Sequence, residues 1–462
     1  MYRSDRRERR RLLPRFLLFL VLVGGPPLAL GWTRIGPVPT VTVEPGLRAI
    51  GPRTPITVLV EEPSRGLSGV RVDLVQDGRE MPLAKVAHEP RPYWAFWGPK
   101  TDGERLDLEV GKELQGDLSP GEATIRVTCE RAGTWLRRPE PSVTELTLPV
   151  ELTPPTLEHI AGTLAGQGSS AVAVYWVGPN AHRDGVRIGD REFPGYPLPG
   201  GETGDRFALF GVPHDLEDGR SSVLLWASDE LGNEVSQPFL RRFDLKARPN
   251  DTVRLSDEFL ERKATEILPR APDIRAGDDP LSTYLTLNRD LRRRNGETLD
   301  ALAAETRPEF LWRQAFLQLP GSRVMATFGD RRTYLYDGQE VDQQFHLGYD
   351  LASVRRAEVP SAAGGVVVLA DYLGIYGNTV VVDHGYGLMS LYSHLSALSV
   401  TAGQGVTRGE TVGRTGTTGL AGGDHLHYSV LIHGQMVDPL EWWDQRWIET
   451  RILELLGDAF GS

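Results

Sequence analysis

The sequence of 462 residues contains a single cysteine, Cys129. One thiol cannot form an intramolecular disulfide, and it cannot supply the several thiolates of a Cys-based zinc site, so both features are excluded. The chain also lacks an excess of positive charge, because its formal net charge is −11. A nucleic-acid-binding surface needs a basic face, so we expect no nucleic-acid partner. Cys129 is expected to be a small buried hydrophobic residue.

The sequence lacks an HExxH motif, an internal repeat and a low-complexity segment. Without HExxH, the helix-borne glutamate base of many metalloproteases is absent. The hydrophobic content of 40% and charged content of 24% are typical of a globular protein. A chain of this length is expected to contain roughly three or four domains.

The N-terminal segment 1–33 joins a basic head to an apolar stretch. Seven arginines precede residue 16, and residues 16–33 carry no charge. This layout is typical of a secretion signal or a signal anchor, so residues from 34 onward are expected to be exported. The stretch is short for a membrane span and is interrupted at residues 24–27, which leaves a cleaved signal peptide as the alternative. We favour a single N-terminal span that anchors the protein in the inner membrane, with the remainder on the periplasmic side of the cell envelope.

Short alternating apolar segments follow. ITVLVEE (56–62) and ATIRVTCE (123–130) have the pattern of half-buried strands and predict a β-sandwich module over residues 34–152. A second set of such segments predicts another β-sandwich over residues 153–248. Its phrase ASDELGNEVS (227–236) resembles the final hairpin of immunoglobulin-like modules.

The pattern changes after these modules. Residues 257–268 and 281–294 have helical spacing and predict a helical connector over residues 249–315. Gly- and Val-rich β runs then predict a compact antiparallel β domain over residues 316–443, followed by a C-terminal helix over residues 444–462. The expected fold class is therefore mostly β and multidomain.

Histidines are concentrated near the C-terminus. Six of the ten lie within an 88-residue window, where an even spread would put about two. Such clustering is typical of a metal or acid–base site, because imidazole is the commonest metal ligand and titrates near neutral pH. The six are His346, His384, His394, His425, His427 and His433. Of these, His384 and His433 are expected to be surface loop residues.

The stretch HLGYD (346–350) contains two potential metal ligands. In an extended strand His346 and Asp350 would lie about 13 Å apart, too far to share one metal. They can share it only if the chain curls between them, and Gly348 permits a tight turn there. Together with one of His425 and His427, they would supply three protein ligands and leave a fourth position for water, the open arrangement of a catalytic zinc.

Three motifs in order resemble one known family. FHLGYDLA (345–352), LYSHLSAL (391–398) and the segment from GRTGTTG to GDHLHYSV (413–430) are similar to the peptidase domain of the M23 family. These lysostaphin-like or LytM-type zinc endopeptidases cut bacterial cell-wall peptides. The resemblance covers residues 316–443, about a third of the chain.

The resemblance implies a set of roles. One Zn²⁺ ion would be bound by His346, Asp350 and His427, while His394 and His425 would be the two catalytic histidines that do not bind metal. The implied reaction is attack of zinc-activated water on a peptide carbonyl, and which of the two histidines acts as the base is left open. The implied function is that of an exported zinc metalloendopeptidase that hydrolyses the cross-links between peptidoglycan peptide stems.

Two other functions are left open. A non-catalytic M23-like regulator would bind the cell wall or activate another wall hydrolase through an envelope protein partner, although such relatives usually lose ligands and all five positions are filled here. An envelope structural protein would depend on its β modules and need no metal. A further hypothesis is that the connector or the β modules cover the groove and restrain activity.

Other residues near the motifs have less certain roles. Asn378 is a candidate substrate contact, although Asn after Gly is usually turn chemistry. Asp424 stands where the family has proline before the HLH sequence, and its role is not explained by the sequence. Tyr428 and Ser429 replace the more usual Phe-Glu pair, which puts the shape of the groove in doubt but not the metal.

Overall fold

The chain forms two compact units. The computed structural model describes residues 5–33, 36–95, 97–134, 137–161 and 163–457. One unit comprises Met1–Pro154 with Ser228–Asn233, and the other comprises Pro155–Ala227 with Glu234–Ser462. Strands account for 43% of the chain and helices for 18%, and most strand pairs are antiparallel. The predicted mostly-β, multidomain fold class is confirmed. The predicted domain boundaries inside these units stay predictions.

The first unit begins with helix α1 (Asp5–Thr33), which contains three prolines. The apolar side chains from Phe16 to Val23 are exposed on this helix. No helix in the described part of the chain combines the length and hydropathy needed to cross a membrane. The single N-terminal span expected from the sequence is therefore not supported.

Seven strands complete the first unit. They are β1 (Thr40–Pro45), β2 (Thr54–Glu61), β3 (Leu67–Gln76), β4 (Arg79–Ala87), β5 (Gly103–Val110), β6 (Gly121–Arg131) and β7 (Ser142–Val150). They form a three-stranded sheet in the order β1-β2-β5 and a four-stranded sheet in the order β4-β3-β6-β7. Both sheets contribute to one core, which contains Val58, Val72 and Val127. Cys129 lies in that core with 1% of its surface exposed, as expected.

The second unit opens with a further pair of sheets. Its elements are β8 (Leu157–His159), β9 (Thr163–Gly166), β10 (Ser170–Val177), β11 (Arg183–Ile188), β12 (Arg191–Pro194), β13 (Tyr196–Pro197), β14 (Asp205–Gly211), the helical turn α2 (Gly219–Ser222), β15 (Val223–Ser228), β16 (Glu234–Pro238), β17 (Leu240–Asp244) and β18 (Asn250–Arg254). Two four-stranded sheets, β13-β14-β10-β8 and β12-β11-β15-β16, carry most of them.

Three helices form the connector. They are α3 (Asp257–Ile267), α4 (Pro280–Thr286) and α5 (Arg292–Ala303), with a π-helical turn at Leu287–Leu291 between the last two. The hydroxyl of Ser256 caps α3, and Asp279 caps α4 through a capping box. Such caps satisfy backbone N–H groups that a helix start leaves free, which is why the helices begin where they do.

The last part of the second unit is built on one large sheet. Its strands are β19 (Arg323–Ala326), β20 (Asp330–Tyr336), β21 (Gln339–His346), β22 (Tyr349–Ala352), β23 (Glu358–Pro360), β24 (Gly365–Tyr372), β25 (Asn378–Asp383), β26 (Leu388–Leu395), β27 (Ala397–Leu398), β28 (Gly405–Val406), β29 (Thr411–Arg414), β30 (Leu426–Ile432) and β31 (Gln435–Val437). The main sheet has the order β19-β22-β30-β26-β25-β24-β28. Short helices α6 (Pro439–Trp443), α7 (Gln445–Ile448) and α8 (Glu454–Leu456) follow it.

A continuous apolar core joins these parts of the second unit. Phe207 of β14 stacks on Phe310 at 5.7 Å between ring centroids. The indole nitrogen of Trp442 donates to the hydroxyl of Ser170 at 2.8 Å, and the backbone N–H of Ser170 donates to the carboxylate of Glu441 at 2.7 Å. Within this unit, the sheets that carry β10 and β14 are thus packed against the C-terminal part that carries the histidine cluster.

Candidate metal centre

All five histidine and aspartate positions predicted from the motifs line one cavity of about 430 Å³. They are His346, Asp350, His394, His425 and His427. The remaining wall comes from the connector region, from β20 and from the loops around Tyr376 and Leu420. The five residues that the motifs singled out therefore lie together, and their roles stay predictions.

The strand register brings the three predicted ligands together. Asp350 of β22 is the direct cross-strand partner of His427 on β30, and His346 ends the preceding strand. The backbone curls between His346 and Asp350, as the sequence required. Gly348 is needed there for space, because a Cβ atom would lie 2.6 Å from the carbonyl oxygen of Tyr428 and 2.7 Å from Cε1 of His427. Its φ angle is not left-handed, so the close approach of two strands, rather than a turn, excludes a side chain.

Three atoms converge in a triangle. His346 Nε2, His427 Nδ1 and Asp350 Oδ1 lie 2.9 Å from one another. His346 Nδ1 lies 2.9 Å from the carbonyl oxygen of Thr327, which can only accept, so in the neutral ring Nδ1 carries the proton and Nε2 a lone pair.

The same reasoning applies to His427. Its Nε2 lies 3.1 Å from the hydroxyl of Ser429, and that hydroxyl donates its own proton to the carbonyl of Leu347 at 2.8 Å. The hydroxyl must therefore accept from Nε2–H, which leaves a lone pair on Nδ1. When both rings are neutral in these tautomers, three lone pairs face one another, an arrangement that a bound cation would stabilise. Two imidazoles and one carboxylate form the donor set of a catalytic zinc, so the residues fit that metal.

The cluster also keeps its ligands in the charge states that metal binding needs. Burial alone would raise the pKa of Asp350, but the neighbouring His346, His425 and His427 outweigh it and hold this pKa well below its ordinary value. Burial lowers the pKa of His427 to about 4, so this imidazole is neutral at physiological pH. A carboxylate and a neutral imidazole are the forms that bind divalent metals.

The other two histidines flank this triangle. The ring centroids of His394 and His425 lie 4.9 Å apart. His394 Nδ1 lies 2.8 Å from the carbonyl of Thr418, and His425 Nδ1 lies 2.8 Å from the carbonyl of Gly423, so each ring donates through Nδ1. Nε2 of His394 is left for other contacts, whereas Nε2 of His425 lies 3.4 Å from Asp350 Oδ1. Burial, followed by the nearby His425 and His427, keeps the pKa of His394 well below its usual range. His394 has a φ of +62°, a left-handed conformation that is uncommon for a residue with a side chain and is found most often at functional sites.

Arg332 completes the surroundings of Asp350, and the sequence did not single it out. Its Nη2 donates to Asp350 Oδ2 at 2.7 Å, on the carboxylate oxygen that faces away from the histidines. Burial would lower the pKa of Arg332, but Asp350 raises it above its ordinary value. The sequence of β20, DRRTYLY, contains no motif that singles this residue out.

The connector forms one wall of the cavity. The buried Lys263 of α3 donates to Glu266 at 2.9 Å and to the carbonyl of Thr417 at 2.8 Å. Glu266 in turn accepts the backbone N–H of Gly419 at 2.7 Å. Helix α3 is therefore tied to the glycine-rich loop that carries the acceptor of His394, and the groove beside the metal ligands is bounded by the connector.

The structure also gives the surroundings of three further residues: two lie differently from what the sequence suggested, and for the third the sequence suggested no role. His384 was predicted on the surface but is fully buried, with Nε2 2.7 Å from the hydroxyl of Ser390. Asn378 does not line the cavity, and its amide donates to the carbonyl of Leu395, next to His394. Asp424 accepts the hydroxyl of Thr415 at 2.6 Å, which ties the start of the HLH strand to the neighbouring hairpin.

The family model of peptidase family M23 matches residues 344–439, the segment that carries the cluster. Residues 344–439 form an M23 peptidase domain. Among curated proteins, the M23 segment is 41% identical over 97 residues to the DD-carboxypeptidase/endopeptidase Mpg of Neisseria meningitidis, covering 21% of this chain and 22% of that protein. It is 37% identical over 95 residues to the murein hydrolase activator EnvC of Escherichia coli, covering 21% and 23%.

The M23 match is local in both relatives, since the chain spans less than a quarter of the length of either. A solved zinc-containing peptidase from Vibrio cholerae aligns over 70% of this chain and 86% of its own, with a TM-score of 0.26 and 14% identity. The M23 assignment therefore applies to the C-terminal domain.

Proposed function

We propose that this protein is a zinc metalloendopeptidase that hydrolyses peptide cross-links of bacterial peptidoglycan. The observation that carries the proposal is the triangle of lone-pair atoms from His346, Asp350 and His427, beside which two further imidazoles are held by backbone carbonyls. A metal-binding site alone would not need the second pair of rings. Peptidoglycan enters the proposal because one relative of the M23 segment is a peptidoglycan DD-endopeptidase.

The three ligand residues would hold one Zn²⁺ ion, which when bound lowers the pKa of a water molecule to about 7 and polarises a carbonyl group. The chain's own residues would move the proton. One of His394 and His425 accepts it at Nε2 from the attacking water and, as the imidazolium so formed, passes it from Nε2 to the departing amine. The other, when it is an imidazolium with a proton on both ring nitrogens, donates a hydrogen bond from Nε2 to the substrate oxygen that gains charge. Both rings are oriented for this by the bonds from their Nδ1 atoms.

Arg332 and Ser429 would hold the ligands in place. Arg332 occupies Asp350 Oδ2, so that Oδ1 is directed toward the two imidazoles. Ser429 accepts from His427 Nε2 and fixes the tautomer with its lone pair on Nδ1. Such partners of metal ligands are worth about 10- to 100-fold in metal affinity.

The proposed location is the periplasmic side of the cell envelope, where the peptide stems of peptidoglycan are accessible. The basic head and apolar stretch of residues 1–33 favour export, and one relative of the M23 segment is a peptidoglycan DD-endopeptidase. An envelope protein partner remains part of the proposal, because one relative is described as an activator of murein hydrolases.

A regulator without catalytic activity is the second candidate, and the similarity to that activator favours it. The two functions differ in one respect. The regulator needs no proton-transferring pair, whereas the peptidase needs both His394 and His425.

The test uses the full chain, purified peptidoglycan and a chelator. We expect zinc-dependent release of shortened muropeptides, lost on chelation. His427→Ala should lose both zinc and activity, His394→Ala should keep one zinc per chain and lose activity, and the exposed His182→Ala should behave as the unaltered protein. Unchanged muropeptides from the zinc-loaded chain, with stimulation of a separate wall hydrolase, would instead establish the regulator.

A further inference from the structure

The connector wall of the metal cavity carries positive charge that no carboxylate neutralises. Arg254, Arg262 and Arg292 all line the cavity, and none of the three forms an ion pair with an acidic residue in the described ranges. The connector contributes one acidic residue to the lining, Glu258. This local excess is the opposite of the chain's net charge of −11, so it does not follow from composition.

Arg292 is the member of this set that is held in position. Its Nε donates to the backbone carbonyl of Asn288 at 3.0 Å, and its Nη2 donates to the side-chain oxygen of Asn288 at 2.7 Å. Asn288 is fully buried and donates to Asp342 at 2.9 Å. Two of the three guanidinium nitrogens are thus hydrogen-bonded to Asn288, which leaves Nη1 for a ligand. A guanidinium held in this way loses little entropy on binding a carboxylate.

Arg292 lies close to the metal ligands. Its charge acts on Tyr376, where it opposes the larger effect of burial, which raises the pKa of that phenol. The ring of Tyr376 lies 5.8 Å from the ring of His427. Arg292, Tyr376 and His427 all line the same cavity. A group bound by Arg292 would therefore belong to a substrate residue close to the scissile bond.

We infer that Arg292, supported by Arg262 and Arg254, selects substrates that carry a free carboxylate next to the scissile bond. The inference rests on the proposed peptidase function and adds a substrate class to it. A planar carboxylate is the partner that a guanidinium binds best, through charge-assisted hydrogen bonds. The carboxylate has two sources in a cell-wall peptide, a chain terminus or an acidic side chain, and both would satisfy the same site.

The experiment uses one synthetic cross-linked stem peptide in four forms: free acid, amidated at the chain terminus, amidated at the side-chain carboxylates, and amidated at both. The zinc-loaded full chain should cleave the free acid about tenfold or more faster, in kcat/KM, than the doubly amidated form, with the difference mainly in KM. The singly amidated form that reproduces the loss identifies the source of the carboxylate. Equal cleavage of all four forms would overturn the inference.

Variants assign the effect to Arg292. Arg292→Gln should lose the discrimination, Arg292→Lys should keep part of it, and the exposed Arg293→Gln on the same helix should keep all of it. Because Arg292 also bonds Asn288, its replacement could destabilise the protein, so the folding of the Arg292 variants is checked by thermal unfolding. Arg262 and Arg254 are exposed, so Arg262→Gln and Arg254→Gln give the same test without the risk of destabilisation. Unaltered discrimination in all three Gln variants would refute the role of the connector wall.

A binding measurement separates this inference from the proposed function. The His394→Ala variant keeps all three metal ligands and can be titrated with the four peptides by calorimetry. Preferential binding of the acid without any turnover by the unaltered chain would uphold the carboxylate site and refute the peptidase. Turnover without a preference for the acid would uphold the peptidase and refute the carboxylate site.

Discussion

Replacing Arg332 by methionine should weaken zinc binding without removing a ligand. Arg332 donates to Asp350 Oδ2 at 2.7 Å, and the two side chains are 21% and 13% exposed, so the pair is shielded from water. Methionine retains most of the side chain's apolar volume but leaves Oδ2 without its partner. The carboxylate is then free to rotate, and Oδ1 no longer faces the two imidazoles for all of the time.

The expected loss follows from the geometry. Loss of a partner that orients a metal ligand costs 10- to 100-fold in affinity, or about 1.4–2.7 kcal/mol. The apo protein should also lose about 2 kcal/mol of stability, the usual contribution of a hydrogen bond to a charged group. The zinc affinity and the stability of Arg332→Lys should lie between those of the unaltered chain and of Arg332→Met, since lysine keeps the charge but not the planar set of donors.

Competition with a chromophoric chelator at fixed pH and salt measures the zinc affinity directly, without reference to activity. The matched control is Arg331→Met, because the neighbouring side chain points to the opposite face of β20 and bonds the exposed Gln343. We expect the unaltered chain and Arg331→Met to be alike, Arg332→Lys to be weaker and Arg332→Met weakest. An Arg332→Met variant with unaltered zinc affinity would show that Asp350 needs no positioning.

Three further predictions concern the same unit. Burial raises the pKa of Glu441 to about 7, so its contribution to stability is present below its ordinary pKa and is lost as the pH rises through 7. The unfolding free energy of Glu441→Gln minus that of the unaltered chain, measured in urea, should therefore rise by about 2.5 kcal/mol from pH 5 to pH 8. A difference that does not change with pH would contradict this. Gly348→Ala should lower zinc affinity and cost about 1–3 kcal/mol by overpacking against His427, whereas Gly405→Ala, which meets nothing within 4 Å, should do neither. Lys263→Met should lower the unfolding free energy by about 2 kcal/mol, because the carbonyl of Thr417 loses its buried donor; an unchanged melting temperature would refute that contribution.

The grouping of the candidate metal ligands could be predicted because its signal is local. His346 and Asp350 are four residues apart, and His425 and His427 share a strand face, so spacing and residue type were sufficient to propose a shared metal. The resemblance to the M23 family then selected His427 over His425. The structure adds the reason, because the register of β22 and β30 places Asp350 directly beside His427.

The rest of the site depends on contacts that no short motif contains. Arg332 and Arg292 reach the cavity from a different strand and from the connector, and arginines in those segments are by default solvated charges. The burial of His384 could not be predicted either, since it depends on Ser390 and the carbonyl of Gly364 supplying partners for both ring nitrogens. The sequence predicted that a glycine is needed at position 348 to let the chain turn, but not that a side chain there would clash with a neighbouring strand. That strand is about 80 residues away in the chain.

The hydrogen bonds between helix α3 and the glycine-rich loop affect which nitrogen of His394 carries the proton. The carbonyl of Thr418 is the acceptor that places the proton of His394 on Nδ1, and the neighbouring Gly419 is held by Glu266 of α3. A free imidazole exchanges between two tautomers, and in the other one the Nε2 atom would carry the proton and have no lone pair to offer. A helix of the connector, which contributes no group to the reaction, thus helps to decide which nitrogen of His394 is basic.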